Sequence, residues 1–156
     1  MTADLSLVLA DYRTGLDTEL SVLAQLLDLA IRQRALPEPA SPEALTALAL
    51  ERERLLATLA GLEQQVLPLR THLAAHVAVV RQMPGYAGVA ERHQRAASLI
   101  ADIARLDDES LEALQRAEQD RRAAAHSLET GEATLAAYRR TLQQPQAPAG
   151  FFTQRG

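Results

Sequence analysis

The chain of 156 residues carries 16 basic and 20 acidic side chains, a net charge of −4, with 47% hydrophobic residues, which suits one globular domain. Without cysteine it has no disulfide framework, zinc ribbon, thiol nucleophile or iron–sulfur ligand set. The acidic balance argues against a nucleic-acid binder.

Alanine and leucine supply 57 of the residues, whereas there are seven Val, three Ile, three Tyr, two Phe and no Trp. The abundant types are the best helix formers and the scarce ones are those that strands prefer. A β-sandwich, barrel or Rossmann fold is excluded, and the chain reads as all-α. No stretch approaches ~20 uninterrupted apolar residues, so no membrane insertion is expected. The start Met1-Thr2-Ala3-Asp4 lacks the basic opening of a signal peptide.

The first helix is expected over about 3–36, with an apolar stripe of Leu5, Leu9, Tyr12, Leu16, Leu20, Leu23, Leu27 and Ala30. It ends at Pro37-Glu38-Pro39-Ala40-Ser41-Pro42, where three prolines remove donors and turn the preceding residues out of helix. Ser41 is placed to cap the next helix, with Pro42 at its first position and Glu43 in its first turn.

The second helix is expected over about 42–82. Its stripe steps by three and four without a slip through Leu45, Leu48, Arg52, Leu55, Leu59, Leu62, Val66, Leu69, Leu73, His76 and Val80. Pro68 predicts a kink in it, and Pro84-Gly85 a turn after it. The third helix is expected over about 89–143, with Ile100, Ile103, Leu106, Leu114, Ala117, Ala124, Leu128, Leu135, Tyr138 and Leu142. Its phase stumbles from Asp107 to Leu111, as a stutter would make it do. Residues 144–156, with two prolines and Phe151-Phe152, read as a flexible tail.

Short connections make consecutive helices antiparallel neighbours. The expected architecture is an elongated, coiled-coil-like bundle of three long antiparallel helices forming one domain, 1–143. At about 1.5 Å per residue, the last turns of the third helix run past both partners. That end is amphipathic, with Leu128, Leu135, Tyr138 and Leu142 to one side, which marks it as a protein-binding surface.

Sites for chemistry are few. His72 and His76 stand four apart on one face, but Leu73 holds the place where a metalloprotease helix needs glutamate, and no third ligand offers itself. His76 reads as a polar seam residue, His93 and His126 as exposed ones. The run Asp107-Asp108-Glu109 reads as a solvated face. No phosphate-cradling glycine loop and no GxSxG is present. Neither catalytic residues, nor a metal, nor a cofactor is expected. Arg52 among leucines is the exception on the second helix, and the expected reason is an acidic partner on a neighbouring helix.

The stretch Leu48-Ala49-Leu50-Glu51-Arg52-Glu53-Arg54-Leu55-Leu56, continuing to Leu59, Leu62 and Glu63, resembles the flagellar type III export chaperones called FlgN. Those carry Glu-Lys-x-x-Leu-Leu in their second helix, and Arg52 stands here in place of the lysine. Their Leu-Asn-x-x-Asn in the third helix is matched by Leu106-Asp107-Asp108-Glu109-Ser110, with both asparagines replaced. Where that family's tail tends toward Tyr-Gly-x-x-Gly, this one reads Gly150-Phe151-Phe152-Thr153-Gln154-Arg155-Gly156.

The resemblance implies a cytoplasmic chaperone, not an enzyme. Its partners would be the C-terminal segments of the hook–filament junction proteins and the export-gate or ATPase components of the type III apparatus. It implies that the C-terminal helical region holds the substrate and that a tyrosine there, for which Tyr138 is the candidate, touches the gate. The competing expectation is a coiled-coil scaffold or adaptor that spends the same stripe on a homodimer.

Overall fold

The computed structural model describes residues 2–143, so the tail with Phe151 and Phe152 lies outside the described residues. All regular structure among them is helical: α1 (Thr2–Arg34), α2 (Pro42–Ala75), the single turn α3 (Val77–Val80) and α4 (Tyr86–Leu142). They fall into two compact units, one ending at Glu112 and the other beginning at Ala113.

In the first unit α1 buries a broad face. The expected stripe is buried, save that Leu27 is half-buried, and Glu19, Val22, Leu26 and Leu29 are buried beside it. These additions lie on a second heptad line through α1, alongside the expected one. A helix lined with apolar residues along two seams can contact two neighbours at once. Leu5, Leu9, Tyr12 and Leu16 pack with Val66 and Leu73 of α2, Val80 of α3 and Val89 of α4. Val22, Leu23, Leu26 and Leu29 pack with Leu55 of α2 and Ile103 of α4, supported by Leu48, Leu59, Ala96 and Leu99.

Gly15 of α1 faces Val66 of α2. A Cβ there would collide with Val66 Cγ1, so the absence of a side chain sets the spacing.

The expected seam of α2 is accurate throughout, each of its positions being buried or half-buried. Ser41 caps the helix as its sequence suggests, its Oγ accepting the Ala44 N–H at 3.1 Å. The expected extent to residue 82 is corrected. Helix α2 passes through Pro68 and stops at His76, whose backbone (φ −123°) is not helical and whose N–H donates to Leu73 O. Beyond it lies Val77-Ala78-Val79-Val80, where three β-branched residues in four favour helix weakly. Gly85 then takes φ +94°, a left-handed conformation that a side chain would strain.

Helix α4 is continuous from Tyr86 to Leu142, and the expected stutter is absent. Val89, Ala96, Ile103, Ser110 and Ala117 are buried or half-buried at steady seven-residue intervals. The phase stumbles in the sequence because Ser110 is polar on the buried line and the half-buried Asp107 interrupts the apolar run beside it. Two residues of the expected stripe, Ile100 and Leu114, are exposed, while Leu99 and Ala113 turn inward instead.

Candidate functional site

Among the described residues four ion pairs join the helices of the first unit. Arg32 of α1 meets Glu51 of α2 at 3.2 Å, and Asp17 and Arg34 of α1 meet Arg92 and Glu109 of α4 at 2.7 and 3.6 Å. The fourth was expected from the sequence: Arg52 of α2 donates two bonds to Asp107 of α4, at 2.8 and 2.6 Å. The solvated-face reading of Asp107 is thereby corrected, since its carboxylate is half-buried in this pair.

A chain of polar side chains that sequence reasoning missed crosses the first unit. Tyr12, the largest side chain wholly withdrawn from solvent among the described residues, stands at its centre. Arg70 Nε donates to the Tyr12 hydroxyl at 2.9 Å, and Arg70 Nη1 and Nη2 each donate to Glu63 at 3.0 Å. The Tyr12 hydroxyl lies 2.7 Å from His93 Nε2. With Arg70 donating to it, the hydroxyl keeps a further lone pair as well as its own proton, so it can meet His93 Nε2 as acceptor or as donor. Desolvation and the Arg70 charge both hold the His93 imidazole below its ordinary value. His93 is exposed, as expected, and its ring also bonds the enclosed Tyr12.

Glu19 extends the chain on the other side. Only 7% exposed, with its Oε1 unpartnered among the described residues, its carboxyl is pushed up to about 7 by burial and by neighbouring Glu63. Glu63 moves the opposite way, because the Arg70 guanidinium bonds its ionised form. Glu19 lies seven residues after Tyr12 of the expected stripe, the one signal that could have found it.

Against Tyr12 and His93 lies a cavity of about 150 Å³ walled by Leu9, Leu73, Val77, Val80 and Val89. Its lining is almost wholly apolar, with no charge free to bind or transform a polar substrate. His72 and His76 have ring centroids 5.1 Å apart, and His76 Nδ1 bonds to the His72 carbonyl at 3.1 Å. Among the described residues no three or more His, Cys, Asp or Glu gather as metal ligands, and no helix is long and apolar enough to cross a membrane.

The second unit holds the binding residues expected from the sequence. Leu128, Leu135, Tyr138 and Leu142 are 71%, 65%, 62% and 67% exposed. Every residue from 126 to 143 is exposed. Successive turns of α4 therefore present three leucines and a tyrosine within a narrow arc, an amount of apolar surface that ordinary solvated helices avoid. The helix supplies its own backbone hydrogen bonding here, and the Thr130, Thr134 and Thr141 hydroxyls donate to carbonyls one turn back. Comparison with protein-family models, with curated proteins and with solved structures finds no match to this chain.

Proposed function

We propose that this protein is a cytoplasmic export chaperone of the flagellar type III apparatus, and not an enzyme. On this reading it binds the C-terminal segments of the hook–filament junction proteins, prevents their premature assembly and delivers them to the export gate. Its first unit serves as an antiparallel, coiled-coil-like scaffold and the later turns of α4 as the substrate-holding surface. The observation that carries the proposal is the exposed apolar face of Leu128, Leu135, Tyr138 and Leu142. The FlgN-like residues of the second helix give the class of cargo.

Recognition would be of the helix-in-groove kind. A cargo segment that orders as it docks gives up ~2–5 kcal/mol of its gross interaction energy, leaving a moderate affinity suited to release. Tyr138 would serve at the gate, its hydroxyl being the polar tip of an otherwise apolar face.

Calorimetric titration of the protein with C-terminal segments of the junction proteins, with light scattering on the same samples, tests the proposal. Saturable heat that disappears in the Leu135→Glu/Leu142→Glu variant is the expected result. No heat with any such segment would overturn it.

A further inference from the structure

We infer that the face of α4 between Gly131 and Leu142 pairs with the same face of a second copy of this chain, antiparallel and in a single register. The argument rests on charge and size along that face, and it stands whether or not the cargo reading does.

Leu128, Gly131, Leu135, Tyr138 and Leu142 follow one another at steps of three and four, the spacing of a coiled-coil seam. Leu128, Leu135 and Leu142 take one of its two core positions, Gly131 and Tyr138 the other. Two antiparallel copies bring one kind of core position against the other. Leu135 then meets Tyr138 of the second copy, Leu142 meets Gly131, and two further layers follow by symmetry. The match is one of size. A Cβ on Gly131 meets open space, room that the Leu142 side chain can enter. Leu128 falls outside the four layers.

Flanking the seam on one side are Glu132 and Arg139, both exposed. In this register Glu132 lies opposite Arg139 of the second copy, and the reciprocal pair forms by symmetry. Slipping by one heptad in one direction sets Glu132 against Glu132, and in the other Arg139 against Arg139. Charge thus admits one register and rejects its neighbours. In a parallel pair Glu132 would face Ser127 and Arg139 would face Thr134, leaving these charges without a role.

The test is sedimentation equilibrium of the full chain over a wide concentration range. A reversible dimer is expected. Arg139→Glu should weaken its association constant about tenfold, and Glu132→Arg/Arg139→Glu, which exchanges the charges, should restore it. Cysteine scanning checks orientation independently, since the chain has no cysteine of its own. A mixture of Leu135→Cys and Tyr138→Cys proteins should form the disulfide heterodimer, while Leu135→Cys alone cross-links poorly. A monomer at every concentration overturns the inference, including one that binds a cargo segment through Leu135 and Leu142. So does a dimer indifferent to charge reversal, or one that cross-links best through Leu135→Cys alone.

Discussion

Arg52 of α2 and Asp107 of α4 face each other fork to fork, with two nearly parallel bonds of 2.8 and 2.6 Å. Arg52 occupies a seam position that leucines fill elsewhere on α2 and Asp107 is half-buried against it, so each would be an uncompensated charge without the other. Asp107→Ala should destabilise the protein by about 1–2 kcal/mol, since it strands the Arg52 guanidinium. Arg52→Leu/Asp107→Leu should be near neutral, because it removes both charges at once. Urea unfolding of Arg52→Leu, Asp107→Leu and the double variant checks this. A double variant as unstable as the singles combined would refute the coupling.

Gly15 predicts a steric coupling of a different sort. Alanine is the better helix former by about 1 kcal/mol, yet Gly15→Ala drives a methyl group into Val66 and should destabilise the protein on balance by about 1 kcal/mol. In a Val66→Ala background the same change should become neutral or stabilising. The urea midpoints of the four proteins in this cycle give the answer, and a constant effect of Gly15→Ala in both backgrounds would contradict it.

Glu19 makes stability depend on pH in an unusual direction for a carboxylate. Its folded-state value of about 7 stands above the ordinary 4.5, so between these pH values the folded protein holds the extra proton. This contribution therefore weakens stability as pH rises through that window. His93 and Glu63 act oppositely, because their lowered values make protonation on acidification favour the unfolded chain. Glu19→Gln isolates the first contribution. The variant should exceed the parent in stability at pH 8, by on the order of 2 kcal/mol, and the gap should close by pH 5. A gap independent of pH would exclude a titrating Glu19.

Leu135→Glu/Leu142→Glu should leave folding nearly untouched. Both leucines are exposed, and surface substitutions of this kind shift stability by within about 0.5 kcal/mol. At concentrations where the parent is monomeric, helical circular dichroism and melting temperature should match the parent while binding through this face is lost. A marked drop in melting temperature would instead mean that the leucines serve the fold.

Much of this architecture was legible in the residues because apolar spacing dominates it. The α2 seam could be read position by position, and Ser41-Pro42 announced its start. Elsewhere the pattern misled for definite reasons. One stripe was read on α1 where there are two, since Glu19 and Gly15 sit on the second and neither looks like a core residue. The end of α2 was placed too late because the valines after His76 preserve the seam while weakening the helix. The exposed leucines of α4 were visible as a stripe, but the chain from Glu19 through Arg70 to His93 joins residues on three helices. Spacing within any single segment could not bring those together.

Tyr12 also carries a consequence for how the molecule can be watched. The chain lacks tryptophan, and its three tyrosines are in three unlike settings: Tyr12 enclosed and doubly hydrogen-bonded, Tyr86 half-buried at the turn into α4, and Tyr138 open to solvent. An enclosed, hydrogen-bonded phenol absorbs differently from one in water. Near-ultraviolet difference spectra of the native protein can thus separate loosening of the helices around Tyr12 from an event at Tyr138, with no label attached.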